Sequence, residues 1–283
     1  MNINPNRSFN TVNKAETEKF SFYSFNPSVG ATWQAFENLN VFANWAQGTR
    51  TPSVIELGCA IDKTPIQTSI KDTDGDLIPD TPVYTAKSIY ENRQCSLPTT
   101  LSGDPFLPQI RATTYDIGMR GTLGEFAQWN IGAYQTDLKD DIYFVSFGNG
   151  RGFFDSIGNT RRRGIEAGLS GKVGKWRMSI NYALTDATFE DNFRMISVDN
   201  SSSIDKGDGL GYAIDVKPGS RIPGVSLHNL NANVNYEVTD KWTVGLSTVL
   251  HSDSYVRGNE NNEHKVGVIQ DRGLGAIGNA LWL

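Results

Sequence analysis

Apolar and polar residues alternate with period two along much of the chain. That is the pattern of a β-strand presenting one set of side chains to each face of a sheet. The clearest run sets Trp176, Met178, Ile180, Tyr182 and Leu184 against Arg177, Ser179, Asn181, Ala183 and Thr185. A second sets Leu230, Ala232, Val234, Tyr236 and Val238 against Asn229, Asn231, Asn233, Asn235 and Glu237. Similar runs occur at Tyr115–Leu123, Ile165–Val173, Trp242–Leu250 and Leu39–Trp45, and less cleanly at Phe20–Ala35 and Trp129–Phe147. The pattern predicts about eight strands, near 20–35, 39–48, 113–124, 128–147, 159–173, 175–189, 222–238 and 241–256. No amphipathic helix of usable length is found.

The connections carry the next inference. Phe36-Glu37-Asn38, Gly124-Glu125-Phe126, Gly171 to Gly174 and Thr239-Asp240 suit tight hairpins. Between them lie long segments at 49–112, 148–158, 190–221 and from 257 onward. Tight and long connections strictly alternate, so all tight turns fall at one end of the sheet and all long loops at the other. A soluble sandwich has no need of that asymmetry, whereas an outer-membrane barrel has short turns on one side and long external loops on the other. The strands exceed the usual five or six residues of globular sheets and match the roughly 9–11 of a tilted membrane strand. Trp45, Tyr115, Trp129, Trp176, Trp242 and Tyr255 fall near strand ends, as interfacial aromatics do. The longest apolar runs are Ile142–Val145 and Ala280–Leu283, far short of the roughly 20 residues of a spanning helix. The expected fold is all-β: an antiparallel up-and-down meander forming part of a large transmembrane barrel, with the barrel incomplete.

One face is too polar for a dry core. Asparagines at 229, 231, 233 and 235 on one strand would be left unsatisfied if buried. A wet lumen satisfies them, with Arg120, Glu166, Lys172 and Arg177 pointing inward; so does a one-layer sheet with a solvated face. Composition agrees with strands wetted on one side: 38% hydrophobic, 20% charged and 28 glycines in 283 residues. A net charge of −5 and a pI near 5.3 argue against nucleic acid as a partner. His228, His251 and His264 have no metal-protease spacing, and no nucleophile elbow or phosphate loop occurs. The Gly-rich run Gly148-Asn149-Gly150-Arg151-Gly152 has no helix after it. No enzyme activity is expected. Met1 is followed by Asn2-Ile3-Asn4-Pro5 without a basic or apolar leader, so the chain is expected to be cytosolic or to lack the start of the real chain.

Three stretches resemble the barrel of TonB-dependent outer-membrane receptors. Gly48-Thr49-Arg50-Thr51-Pro52-Ser53, followed by Glu56-Leu57, resembles the end of one of that family's strands. Asn159 with Gly164-Ile165-Glu166 is similar to a strand start. Arg221-Ile222-Pro223-Gly224 with His228-Asn229 resembles the lead-in to late barrel strands. Each sits at a loop–strand junction already placed by the hydrophobic pattern. The resemblance implies a barrel of about 22 strands around an N-terminal plug, in the outer membrane of a Gram-negative cell. Such receptors import a scarce small-molecule or chelate ligand (siderophore, haem, cobalamin or glycan), driven through TonB. Only part of that barrel is expected here, with the plug absent, so the chain is expected to be a segment of a longer parent protein. A non-transporting outer-membrane adhesin, a small closed barrel and a secreted β-sheet binding module are the alternatives. They differ in whether the Trp176–Leu184 stripe is exposed and whether the first and last strands pair.

The expected external loop 49–112 holds Cys59 and Cys95, separated by 35 residues. A disulfide between them would contribute about 3–4 kcal/mol by loop closure; two free buried thiols are the other reading. Between them Asp72, Asp74, Asp76 and Asp80, with Gly75, could wrap a structural calcium ion, or form a solvated acidic turn. No other cofactor is expected. Arg161, Arg162 and Arg163 are candidates to hold an anionic ligand or lipid phosphate at the outer rim, or are a solvated charge cluster. Asp137, Asp140 and Asp141 are expected to mark a bulge or a polar stretch on the lumen side.

Overall fold

A computed structural model describes residues 21–58, 60–61, 63–71, 81–90, 95–96, 107–146, 151–206 and 211–268. The first described elements are a hairpin of β1 (Ser28–Phe36) and β2 (Leu39–Arg50), followed by a short helix, α1 (Val54–Gly58). Next come β3 (Pro65–Lys71), β4 (Thr81–Ala86), helix α2 (Lys87–Tyr90) and β5 (Cys95–Ser96). The second long hairpin is β6 (Ile110–Leu123) and β7 (Ala127–Lys139), followed by β8 (Ile142–Ser146) and β9 (Arg151–Ser156). The third is β10 (Thr160–Val173) and β11 (Trp176–Phe189), followed by β12 (Phe193–Ile196), β13 (Ile204–Asp205) and β14 (Tyr212–Val216). The fourth is β15 (His228–Thr239) and β16 (Trp242–His251).

The eight long strands form one antiparallel sheet in the order β1-β2-β6-β7-β10-β11-β15-β16, an up-and-down meander. Its hairpins close on tight turns in which Gly124 and Gly174 adopt φ of 58°. That left-handed conformation costs glycine nothing and a side-chain-bearing residue about 1–2 kcal/mol. Among the described residues the sheet is open, since β1 pairs only with β2 and β16 only with β15. This removes the small closed barrel. Open edges are not tolerated in hydrocarbon, so these strands need further strands beside them in a membrane.

Register puts every apolar stripe on one face. Val41, Met119, Ile131, Ala167, Tyr182 and Leu230 follow one another in a cross-strand row. Trp33, Ile117, Trp176, Trp242 and Leu246 on this face are exposed, as is Ile180 at the middle of its stripe. A soluble sandwich would bury these side chains against a second sheet; among the described residues nothing covers them. An apolar band of this size, bare on an all-β sheet, has the character of the lipid-facing band of a membrane barrel.

Among the described residues, all buried apolar side chains lie at the loop end. Val145, Ile157, Phe189, Met195, Ile214 and Val216 form one cluster, with Tyr143, Phe193 and Ile222 against it. Ala60, Leu107, Ile110 and Ile142 form a second, with Leu57, Leu138 and Phe154. The long loops therefore fold: β12-β14-β13, β3-β4 and β5-β9-β8 are small sheets of their own.

Three expectations are corrected. The stretch 128–147 is not one strand, because Asp140 takes φ of 57° and turns the chain out of the sheet into β8. Its aspartates do not share the lumen side: Asp137 faces outward opposite Arg161, and Asp141 receives the Thr160 hydroxyl. The last hairpin begins at His228, not 222, because residues 222–227 form an irregular lead-in containing Gly224 at φ 79°.

Candidate functional site: the polar face and the external loops

The face opposite the apolar band carries Gln34, Asn40, Arg120, Asn130, Gly168, Asn181 and Asn231 in a single row across seven strands. These groups satisfy one another locally. Arg120 Nε donates to Asn40 Oδ1 at 3.3 Å, which also receives the Thr32 hydroxyl at 2.9 Å. Asn44 Nδ2 donates to Asp116 at 3.3 Å, and Lys172 Nζ lies 2.9 Å from Glu237 with Arg177 at 3.7 Å. Arg120, Glu166, Lys172 and Arg177 all share this face, as the sequence pattern expects.

Glycines on this face are set beneath larger neighbours. Asn44 lies over Gly30, Asn130 over Gly168, and Asn235 over Gly245. A Cβ at Gly164 would come within 2.9 Å of the Tyr134 ring, and one at Gly118 within 2.5 Å of the Phe42 ring. The Tyr134 hydroxyl spans Gly164 to reach Thr185 Oγ1 at 3.2 Å. Alternation in the sequence shows the face but not these cross-strand pairs, because each depends on register.

The three family-like motifs acquire physical reasons. Arg50 grips Glu56 with two parallel bonds of 2.8 and 2.9 Å, the bidentate geometry a guanidinium favours. Ser53 Oγ accepts the Glu56 N–H at 3.2 Å, and Glu56 Oε2 accepts the Ser53 N–H at 2.7 Å. This reciprocal pair is a capping box. It turns the chain at the top of β2 and delivers Leu57 to the second apolar cluster. Burial pushes the Glu56 carboxyl up, but the bonds from Arg50 and Ser53 outweigh it and hold the group below its ordinary value. At the second motif, Gly164 leaves room for Tyr134, Ile165 joins the apolar band and Glu166 faces the lumen. At the third, the Asn262 side chain bonds both the N–H and the carbonyl of Arg221, Ile222 N donates to Ala187 O at 2.8 Å, and Gly224 N donates to Tyr255 O at 2.8 Å.

The external loops are fastened by a buried polar knot that sequence patterns do not reveal. Glu260 is wholly buried and accepts the Tyr143 hydroxyl at 3.1 Å and the Gly258 N–H at 3.0 Å. Asn200 donates to Gly258 O at 2.9 Å, Asn261 to Ser202 Oγ at 2.8 Å, and Ser201 N–H to His264 Nδ1 at 3.0 Å. Segment 257–265 is thereby stapled to segment 197–203. The only hint in the sequence is that 197–203 is rich in Ser and 257–265 in Asn. Arg257 lies 5.0 Å over the Tyr143 ring and 5.9 Å over Phe144, exposed at the top of the first cluster. Burial, and then the Glu260 charge, push the Tyr143 hydroxyl up to about 12.

The three consecutive arginines part company. Arg161 faces outward, 2.7 Å from Asp137 and 3.1 Å from Glu190, and Arg163 faces outward 3.1 Å from Asp186. Arg162 faces the lumen, donating to Thr160 Oγ1 at 3.2 Å with Asp141 at 3.5 Å. Asp72, Asp74, Asp76, Asp80 and Cys59 lie outside the described residues. Cys95 falls in β5, opposite Gly152.

An open meander with a bare apolar band, a wet polar face and folded loops at one end is a section of an outer-membrane β-barrel. Comparison with known proteins supplies the family. Residues 4–272 match the TonB dependent receptor-like β-barrel family, and the chain belongs to it. This places it in the Gram-negative outer membrane. Among solved structures it is similar to the ferric-catecholate import receptor Fiu of Escherichia coli K12, at 17% identity and TM-score 0.45, covering 80% of this chain and 25% of that one. It is similar to the siderophore receptor PirA of Pseudomonas aeruginosa, at 14% identity and TM-score 0.48, covering 81% and 34%. For the copper transporter OprC the values are 13% and 0.50, covering 82% and 27%. The chain thus spans about a quarter to a third of the length of the receptors it matches.

Proposed function

We propose that this chain is a barrel segment of an outer-membrane importer, contributing eight strands, a polar sector of the lumen and the external loops that first meet the ligand. The observation that supports this most is the division of the sheet into a bare apolar face and a wet amide-rich face, with folded loops confined to one end. Ligand binds at the loops and then passes along the polar face once a plug, driven through TonB, moves aside. The cargo belongs to the siderophore, haem, cobalamin or glycan class. Import needs no covalent chemistry from the segment, and among the described residues no cluster of metal-ligating side chains occurs.

Of the three arginines, Arg162 faces the lumen and is the one placed to meet an anionic ligand. Arg257, exposed above Tyr143 and Phe144, is a second cation on the external loops. Cys59 with Cys95, and the Asp72–Asp80 run with calcium, would stiffen the long first loop. The test is uptake by the intact receptor after replacing 193–216 with a short Gly-Ser linker. The expected result is loss of ligand binding and ligand-dependent growth, with heat-modifiable electrophoretic mobility retained. Unchanged uptake would sink the reading.

A further inference from the structure

The described loops lean over the polar face. Ile110, Leu138, Thr160 and Phe189 lie on the lumen side at the loop ends of β6, β7, β10 and β11. Ile110, Thr160 and Phe189 are buried, and Leu138 packs on the second apolar cluster. Their outward neighbours on β6 and β7, Arg111 and Lys139, are exposed. A wet lumen would leave the inward side chains bare; the loop sheets cover them, Phe189 in one cluster and Ile110 in the other.

Three separate connections meet at one carboxylate. Glu260, on 257–265, receives the hydroxyl of Tyr143, on β8, and Tyr143 packs on Phe189 and Phe193. The same segment is bonded to 197–203, between β12 and β13. Ser197 Oγ donates to Gly258 O at 2.6 Å, Asn200 Nδ2 to Asn261 Oδ1 at 3.2 Å, and the Lys265 N–H to Ser201 Oγ at 2.8 Å. Glu260 is wholly buried and makes no ion pair among the described residues. Its two oxygens share one hydroxyl and one backbone N–H. A buried carboxylate without a cation is held only while its donors stay in place; once one leaves, water solvates the charge far better than the protein does. Such a contact has two states, closed and dry or open and hydrated. We infer that Glu260 and Tyr143 are the clasp of a single lid, in which 193–206, 211–216 and 257–265 lift together from the lumen face. Opening uncovers the lumen side chains next below, Thr136 and Arg162, which are cross-strand partners. Gating passage from the loops to the polar face rests on the import reading; the clasp itself does not.

Tyr143→Phe keeps the ring on Phe189 and removes only the hydroxyl from Glu260. In the intact receptor, hydrogen exchange at 197–203 and at 257–265 should rise together, roughly tenfold or more, with β10 and β11 unchanged. On cells whose receptor also carries Thr136→Cys, labelling by a membrane-impermeant fluorescein maleimide should rise in step, the receptor without that cysteine giving the background. Glu260→Gln added to Tyr143→Phe removes the buried charge and should bring both readouts back toward the parent. Unchanged exchange in Tyr143→Phe, or a rise at 257–265 alone, would overturn the clasp. Raised exchange at both segments without added labelling would overturn the lid. Failure of the Glu260→Gln rescue would overturn the buried charge as the trigger. Neither readout uses an imported ligand, so a failed clasp leaves the uptake test of the loop replacement standing, and a failed import reading leaves the exchange test of the clasp standing.

Discussion

The long strands and the loop cap are built from one chain but for two solvents. In the sheet, large apolar side chains stand bare: Trp33 is 68% exposed and Leu246 70%. In the cap, Phe189 and Ile214 are each 1% exposed. Phe189 belongs to both regions, ending β11 while anchoring the first loop cluster. Tyr143 and Phe193 pack on it, with ring centroids 5.6 and 5.0 Å away. Among the described residues the sheet has no protein interior of its own, so its order rests on the backbone ladder and on the amide network of its wet face. The cap follows the rules of a small soluble domain, with an apolar core and buried polar groups that are mostly bonded, the Arg221 Nε excepted. A substitution should therefore act through membrane insertion in one region and through local folding in the other.

The largest effect is expected in the cap. Phe189→Ala removes the ring at the centre of its cluster and should destabilise the cap by about 3–5 kcal/mol. Hydrogen exchange across 193–216 of the intact receptor should rise steeply while the barrel still inserts. Failure to insert would show that the two regions are not separable. Next comes the apolar band. Ile180→Arg puts a charge at mid-stripe and should cost about 2–4 kcal/mol, read as reduced assembly into the outer membrane. Normal assembly would refute lipid contact at this face.

Smaller effects refine the boundary between the regions. Glu56→Gln breaks the Arg50 fork and half of the capping box, with an expected cost of about 1–2 kcal/mol. Because the folded-state carboxyl titrates below its ordinary value, the Glu56 contribution is complete above the ordinary carboxylate pKa near 4.5 and fades as pH falls through the lower folded value. Exchange at 53–58 should therefore separate the variant from the wild type at pH 7 and bring them together in strong acid. A gap that persists in acid would assign the effect to packing. The smallest expected change is Asn231→Ala, within about 0.5 kcal/mol, because this amide faces the wet side. A collapse of folding would show a packed interior where a wet lumen is described.

Strand order, the two faces and the alternation of turns with loops were legible in the sequence because a period of two is a local property. Val41 and Ile180 reveal their face from near neighbours alone. The break at Asp140 was not legible, since Ile142–Val145 continues the apolar pattern while the backbone turns away to build the cap. The three motifs were recognisable as strings, but their reasons are spatial: a fork from Arg50 to Glu56, a tyrosine lying across Gly164, and an asparagine holding both sides of Arg221. The arginine run shows the same limit. Three adjacent cations read as one cluster, yet a pleated strand sends Arg161 and Arg163 outward and Arg162 into the lumen.

By itself, then, the sequence determined that the chain makes long two-faced strands with all its elaborate loops at one end, because alternation and turn chemistry act between neighbours. Only the tertiary structure decided which charges meet. Glu260 found Tyr143 across 117 residues, and Arg111 was left facing Lys139. Register and loop packing set such pairings, and both depend on contacts between distant parts of the chain.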